Sequence, residues 1–157
     1  MDMPILLKTL ALSVLGCAAA NTATHYPQTA TVGNQATAAE TTVVHEVLGR
    51  SFGKEWTRYV KSSGHAPTFT VGHADLNGDA QPDLLVSLND GRFGYCGSGG
   101  CAGYAILATP QGYAHKAIEL AYFFEKTVVL RGAHKGMHDL LYDDARKVFV
   151  WDGTRYR

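Results

Sequence analysis

Hydrophobic positions recur at three- and four-residue steps between residues 44 and 60, which places them on one stripe of an amphipathic helix. Thr37 and Glu40 have the spacing of a capping box before this stripe, and Gly64 supplies a stop after it. Glycines inside the stripe weaken the helix, so its most secure part is predicted at residues 51–62. The stripe comprises Val44, Val47, Leu48, Phe52, Trp56, Tyr59 and Val60.

After Gly64 the pattern changes to short β-type runs separated by Asn-Gly, Asp-Gly and similar turn residues. No helical pattern intervenes between these runs, which favours antiparallel pairing. The predicted fold class is therefore α+β, with an antiparallel, mostly meandering sheet and one N-terminal amphipathic helix packed on a face. The predicted strands are 67–74, 83–88, 103–109, 113–121, 126–131, 137–142, 147–151 and 154–157.

The start of the chain is typical of an export signal. Lys8 precedes an apolar run at residues 10–16 that is too short for a permanent transmembrane helix. The run ends in Val-Leu-Gly-Cys at 14–17, which resembles a bacterial lipobox and implies a lipidated Cys17 as the first mature residue. The alternative is cleavage after Ala20, which would release a soluble periplasmic protein. We expect a periplasmic protein in either case, anchored to the outer membrane if Cys17 carries the lipid.

Composition divides the chain into three parts. Residues 18–40 are rich in Ala, Thr, Asn and Gln with almost no large apolar side chain, which predicts a tether. The predicted organisation is a signal segment at 1–16, a flexible tether at 17–40 and a single α+β domain at 41–157.

The 14 basic residues balance the 14 acidic ones, so the chain has no overall positive field to hold nucleic acid. A lipid anchor is then the only predicted link to a membrane.

The three cysteines also favour export. If Cys17 is removed or lipidated, Cys96 and Cys101 remain as an even pair. An oxidising periplasm would join them. The sequence therefore predicts a Cys96–Cys101 disulfide.

A loop with regularly spaced oxygen donors follows the predicted helix. Asp75, Asn77, Asp79 and Asp83 fall at loop positions one, three, five and nine, and the carbonyl of Gln81 falls at seven. This spacing suits calcium, whose ligands are oxygens. The motif D-x-N-G-D-x-x-x-D resembles the calcium loop of FG-GAP and related extracellular repeats, which join two strands. The resemblance implies a structural calcium ion.

Two residues of this loop depart from calcium-binding patterns. Position six, usually glycine because the backbone there has a positive φ, is Ala80, which costs roughly 1–2 kcal/mol. Position twelve is Val86, so the bidentate glutamate of an EF-hand is missing. The alternative to calcium is a metal-free turn in which Asp75 and Asp79 accept hydrogen bonds from loop amides.

The predicted disulfide encloses a very short loop. Four small residues separate Cys96 from Cys101, and the bridge would stiffen them by restricting the unfolded chain. We expect a rigid, exposed finger with Ser98 at its tip. The residues predicted to contact a partner are Tyr95, Gly97, Ser98, Gly99, Gly100 and Tyr104.

Catalytic interpretations of this region lack their required neighbours. Ser98 would need the G-x-S-x-G elbow, but residue 96 is cysteine and no strand-to-helix context follows. A partner thiol in an oxidising compartment argues against a cysteine nucleophile, and no Gly-Lys-Ser/Thr closes a phosphate loop. His134 and His138 lie four apart, but Gly136 breaks the helix that would align them for zinc. No catalytic residue is assigned, and we expect a protein that is not an enzyme.

The acidic loop, a short strand and then C-G-S-G-G-C form an arrangement similar to small bacterial envelope lipoproteins. It more loosely resembles periplasmic inhibitors and immunity proteins that block cell-wall hydrolases with a loop. The resemblance implies a binding protein whose finger enters a cell-wall amidase or muramidase. The S-G-x-x-Y motif of lysozyme inhibitors is absent, which argues against lysozyme as the target. The alternatives are a structural calcium-binding envelope lipoprotein without an enzyme target and a small hydrolase.

Overall fold

The computed structural model describes residues 25–93, 96–120, 126–142 and 147–157. Two helices and ten strands are present in this part of the chain. In chain order they are β1 Gln28–Thr31, α1 Ala38–Phe52, α2 Lys54–Ser63, β2 Thr70–Ala74, β3 Asp83–Leu88, β4 Cys96–Gly97, β5 Gly100–Ile106, β6 Ala108–Thr109, β7 Gly112–Tyr113, β8 Ile118–Glu119, β9 Lys126–His134 and β10 Met137–Tyr142.

The strands pair antiparallel throughout the described residues, in agreement with the predicted α+β class. The expectation of one sheet is wrong, because the strands form three. The largest has five strands in the order β2-β3-β5-β4, with β8 paired to β5. The second is the three-stranded sheet β1-β9-β10, and the third is a small β6-β7 hairpin. In place of the strands predicted at 147–151 and 154–157, the structure has isolated bridges between Leu140 and Phe149 and between Trp151 and Tyr156.

The single N-terminal helix expected from the sequence is not supported. A strand precedes the helical region, and Gly53 divides that region into α1 and α2 with a backbone conformation of φ 55 and ψ −115. The helix signals themselves are confirmed: Thr37 and Glu40 form both bonds of a capping box, and Gly64 ends α2 in the left-handed conformation. Glycine tolerates both of these backbone conformations because it has no Cβ.

The central strand β3 is buried along its whole length because it is covered on both faces. Successive side chains of a strand point to opposite faces, and Leu84, Val86 and Leu88 accordingly pack with the helices while Leu85 packs toward the second sheet. The domain is thus built in three layers, with the five-stranded sheet between the helices and the three-stranded sheet. This arrangement explains why β3 reads as an almost continuous hydrophobic run.

Part of the predicted tether belongs to the folded domain. Residues 28–31 form β1 and pair with residues 126–129 of β9. Ala30 and Val32 are buried in the core, and the N-cap residue Thr37 begins α1. The polar composition of this segment misled the prediction, because its few apolar side chains are covered by distant parts of the chain. The signal segment, Cys17 and the tether up to residue 24 lie outside the described residues.

Candidate binding site at the disulfide hairpin

The predicted disulfide is present and closes the hairpin formed by β4 and β5. Cys96 lies directly opposite Cys101 in the register of the two strands, with Cα atoms 4.0 Å apart. The residues from Cys96 to Gly99 are exposed, with Ser98 and Gly99 in the turn. Gly100 has a φ of 101, which only glycine adopts readily, and it directs the chain back into β5. The finger is therefore short, covalently closed and accessible at its tip.

Two of the predicted contact residues are not available to a partner. Tyr104 is only 8% exposed, and its ring packs against Phe52 of α1 with centroids 5.7 Å apart. Gly100 is buried as well. The strand period explains the error for Tyr104, since it points to the helical layer rather than to solvent. Tyr95, also predicted as a contact, lies outside the described residues.

The segment that leads into the hairpin is held by the carboxylate of Asp90, which is only 6% exposed. Its Oδ2 accepts hydrogen bonds from the Tyr59 hydroxyl at 2.6 Å and from the amide of Thr68 at 3.1 Å. Its Oδ1 accepts the amides of Arg92 at 3.0 Å and Phe93 at 3.3 Å. The pKa of Asp90 reflects this balance: burial raises it, but the four donors lower it more strongly, to about 2.

Phe93 supplies the apolar part of the same anchor. Its buried ring meets the rings of Phe52, Trp56 and Tyr59 edge to face, at centroid distances of 5.3, 5.8 and 5.1 Å. Edge-to-face contacts of this kind stabilise by roughly 0.5–1.5 kcal/mol each beyond burial of area. The base of the hairpin is therefore fixed to both helices three residues before Cys96.

The sequence prediction missed this anchor. Asn89, Asp90 and Gly91 have the composition of an ordinary turn, and the hydrophobic stripe of the predicted helix does not indicate which segment it covers. The available signal was an aspartate followed three residues later by a large aromatic residue, Phe93, which would be expected to bury its ring beside the turn.

The acidic loop at 75–83 is closed by its own hydrogen bonds. Asp75 is 3% exposed, and its carboxylate accepts the amides of Gly78 at 2.7 Å, Asp79 at 3.2 Å and Ala80 at 2.9 Å. Asp79 in turn accepts the amide of Gln81 at 2.8 Å. Ala80 has a φ of 64, the positive value expected for that position. These are hydrogen bonds of the kind that the alternative interpretation assigns to Asp75 and Asp79.

Asp83 connects this loop to the neighbouring strands. Its side chain is fully buried, and its two oxygens accept the amides of Leu76 at 2.8 Å and Ala108 at 2.7 Å. Burial raises the pKa of Asp83, the two amide bonds oppose that effect, and the net value is about 6. Both oxygens are directed at backbone amides, so Asp83 holds the ends of the loop together.

The predicted calcium ligands Asp75, Asn77 and Asp79 take part in hydrogen bonds within the loop. Across the four described ranges, no group of three or more His, Cys, Asp or Glu side chains is arranged to hold a metal ion. Asn77 donates its amide to Asp79 at 3.1 Å, and the backbone amide of Asp79 lies 3.1 Å from Asn77 Oδ1. Calcium binding stays a prediction that a titration can decide.

The two histidines considered for zinc have separate local partners. His134 contacts the carboxylate of Asp139 through Nδ1 at 2.7 Å. His138 contacts the carbonyl oxygen of Leu130 through Nδ1 at 2.8 Å, and its ring stacks on Tyr26 with centroids 3.8 Å apart. These contacts fasten the β9–β10 hairpin and the start of the described chain.

Within the described residues, no helix has both the length and the apolar character needed to cross a membrane. Comparison of the chain with protein-family models, with curated proteins and with solved structures found no match.

Proposed function

We propose that this protein is a non-enzymatic binding protein of the bacterial envelope, an inhibitor or immunity protein that blocks a cell-wall hydrolase with its disulfide hairpin. The single observation that carries the proposal is the exposed tip at residues 96–99, which the Cys96–Cys101 disulfide closes and which follows a segment that Asp90 and Phe93 hold against the helices. A loop held in this way loses little conformational entropy when it enters a cleft, which leaves more of the contact energy for affinity.

The chemistry of the tip supports insertion rather than catalysis. Gly97, Ser98 and Gly99 carry at most a hydroxyl group, so they form a narrow tip that exposes backbone amides and carbonyls. Such a tip suits a narrow cleft that binds extended polymers, as the active sites of cell-wall amidases and muramidases must. The export signal predicted at residues 1–16 would place the protein in the compartment that holds these enzymes.

A structural calcium-binding envelope lipoprotein is the second candidate. The observation in its favour is the loop at 75–83, where Asp75, Asn77 and Asp79 carry oxygen atoms at alternate positions around a tight turn. This candidate requires no enzyme target, and it requires that calcium replace some of the hydrogen bonds that now close the loop.

Inhibition assays against purified periplasmic amidases and muramidases test the proposal. The wild-type chain is expected to inhibit at least one of these enzymes stoichiometrically. Ser98→Trp puts a bulky ring at the centre of the contact and should weaken inhibition by about 100-fold, the size of effect expected at an interface hot spot. Gln111→Trp is the matched control, because Gln111 is an exposed residue in the turn of the β6–β7 hairpin and should leave inhibition unchanged.

Equal inhibition by wild type and Ser98→Trp would exclude the hairpin as the contact. Absence of inhibition across both enzyme classes, together with a calcium-dependent rise in melting temperature, would favour the second candidate. Hydrolase activity of the chain itself would overturn both.

A further inference from the structure

A cleft lies between the C-terminal end of α1 and the chain that enters β8. Its volume is about 560 Å³, within the range of roughly 300–1,000 Å³ that small-molecule sites occupy. Residues of α1, β5 and β8 line it, together with the segment just before β8. Among them are Arg50, Phe52, Tyr104, Lys116, Ala117 and Glu119.

Direct contacts join the walls of this cleft. The guanidinium of Arg50 donates to the carbonyl oxygen of His115 at 2.9 Å, which ties α1 to the segment before β8. The rings of Phe52 and Tyr104 meet edge to face with centroids 5.7 Å apart, which ties α1 to β5. Glu119 of β8 is the partner of Tyr104 in the register of the two strands. The lining residues therefore belong to one connected site.

Apolar groups form part of the lining. Phe52 is half-buried, and Tyr104 is almost fully buried against it. Ala117 is also half-buried and packs with the core beneath the helices. The parts of Phe52 and Ala117 that are not yet covered offer a surface on which a ligand can bury an apolar side chain.

The position of the Glu119 side chain follows from the strand period. Ala117 packs with the core beneath the helices, whereas Ile118 packs with the core between the two sheets. Successive side chains of a strand alternate between faces, so Glu119 returns to the helical face. Its register partner Tyr104 lies on the same face. The carboxylate of Glu119 is therefore beside the apolar part of the cleft.

Lys116 and Glu119 bring charges of opposite sign to the cleft. The charge of Arg50 is already offset by Glu46, whose carboxylate lies 2.7 Å away. Lys116 and Glu119 are both exposed, and within the described residues neither side chain makes a hydrogen bond or an ion pair. Their Cα atoms are at most about 11 Å apart, since three residues of chain separate them. Both side chains can therefore reach one small ligand.

We propose that the cleft binds an amino acid or dipeptide as a zwitterion, with its ammonium group at Glu119 and its carboxylate at Lys116. The apolar side chain of the ligand lies against Phe52. A ligand with one charge is attracted by one of the two ionic side chains and repelled by the other, whereas a zwitterion satisfies both. These attractions are stronger in a cleft than on an open surface, because less water screens them.

This site goes beyond the proposed function, because neither the hairpin tip nor a hydrolase takes part in it. Inhibition of a hydrolase would leave the cleft untested, and binding of a zwitterion would leave the inhibitor proposal unchanged. The two proposals therefore stand or fall on separate experiments.

Calorimetric titration of the full chain with L-phenylalanine tests the site. Glu119→Gln should weaken phenylalanine binding at least tenfold, but it should leave the affinity for 3-phenylpropionate, which has no ammonium group, within twofold. Lys116→Gln should weaken phenylalanine binding by a similar factor and leave the affinity for phenethylamine, which has no carboxylate, within twofold. Both substitutions are at exposed positions, so the fold should be preserved.

Glu55→Gln and Lys61→Gln are the matched controls. Both side chains are exposed on α2, and neither lines the cleft. Each control should change phenylalanine binding less than twofold. In NMR spectra of the folded chain, phenylalanine should shift the amide signals of residues 50–52, 104 and 115–119.

Two further probes define the ligand. Serine lacks an apolar side chain, so it should bind at least tenfold more weakly than phenylalanine. Phenylalanyl-alanine and alanyl-phenylalanine separate the two sources of the zwitterion. Tighter binding of phenylalanine than of either dipeptide assigns a free amino acid, and the reverse order assigns a peptide; both orders support the site.

Several results would overturn the proposal. If 3-phenylpropionate or phenethylamine binds the wild-type chain as tightly as phenylalanine, the cleft does not recognise both charges. Equal weakening by Glu119→Gln and Glu55→Gln, or shift changes away from the cleft, would place binding elsewhere. Absence of binding of phenylalanine and of both dipeptides at millimolar concentration would exclude this class of ligand.

Discussion

The hydroxyl of Tyr59 donates a hydrogen bond of 2.6 Å to Oδ2 of Asp90, and this bond joins α2 to the segment that leads into the disulfide hairpin. It accompanies three amide bonds to the same carboxylate. A buried carboxylate that is this well satisfied fixes the path of the chain on both sides of it. The orientation of the tip therefore depends on Asp90 as well as on the disulfide.

We expect Asp90→Asn to loosen the base of the hairpin. The side-chain amide of asparagine would point its own N–H group at groups that now donate hydrogen bonds to Asp90. This clash of donors should lower the free energy of unfolding by roughly 2–3 kcal/mol. Urea denaturation measures this loss, and hydrogen exchange of the amides at 97–101 should become faster. Asp152→Asn is the control, because Asp152 also accepts hydrogen bonds from two amides and from Arg157 but is less buried than Asp90, so its substitution should have a smaller effect. An unchanged urea midpoint for Asp90→Asn would contradict the assigned role.

The pH dependence of stability should have opposite signs at two of the buried aspartates, Asp83 and Asp90. The pKa of Asp83 is raised to about 6 in the folded state, so the folded chain binds a proton that the unfolded chain releases. Stability is then lost as pH rises from about 4 to about 6, by about 3 kcal/mol. The pKa of Asp90 is lowered to about 2, so its stabilising contribution is lost as pH falls below about 4.

Thermal melting between pH 2 and pH 7 measures both effects. Melting temperature is expected to be highest near pH 4 and to fall on either side of it. Asp83→Asn removes the titrating group. It should flatten the fall in melting temperature between pH 4 and 6 and leave the fall below pH 4 unchanged. If the melting temperature of Asp83→Asn still falls between pH 4 and 6, the fall arises from other groups.

Features set by neighbouring residues could be predicted from the sequence. The capping box of Thr37 and Glu40, the left-handed stop at Gly64 and the positive φ of Ala80 each depend on a few consecutive residues. The Cys96–Cys101 bridge is of the same kind, since five residues of chain keep the thiols close. In each case the conformation depends on residues that are close in sequence.

Features set by distant residues could not be predicted. The segment Gln28–Thr31 is polar, and it becomes a strand because β9, nearly one hundred residues later, offers a free edge. Asp90 has the composition of an ordinary turn, and only the approach of Tyr59 and Phe93 makes it the anchor of the hairpin. Tyr104 looked accessible beside the finger, but α1 covers it. Loop composition does not reveal which helix will cover which strand.

Calcium binding at residues 75–83 can be tested by calorimetry with calcium up to millimolar concentration. If the loop takes up calcium, binding heat and a higher melting temperature are expected, and Asp79→Asn should abolish both by removing an exposed ligand charge. Asp75 is a poorer site for substitution, because its carboxylate also closes the turn. If calcium produces neither binding heat nor a shift in melting temperature, the loop is a metal-free turn.

Ala80→Gly should stabilise the acidic loop. Ala80 holds a φ of 64, where a Cβ costs roughly 1–2 kcal/mol, so glycine should raise the free energy of unfolding by about 1 kcal/mol after its greater freedom in the unfolded chain is counted. Gly78→Ala is the reciprocal change, because Gly78 has a φ of 77 and should lose a similar amount. Urea midpoints that moved in the same direction for the two variants would contradict this account of the turn.

The two main sheets approach each other closely at Gly72 of β2. A Cβ at this position would lie 2.5 Å from the carbonyl oxygen of Thr31 in β1, too close for any side chain. Gly72→Ala should therefore force the sheets apart and lower the free energy of unfolding by about 3 kcal/mol. Gly33→Ala is the matched control two residues beyond β1, since no atom lies within 4 Å of a Cβ there and its φ is not positive. A wild-type urea midpoint for Gly72→Ala would mean that residues 28–31 are not packed on the domain in solution, and the tether would then include β1.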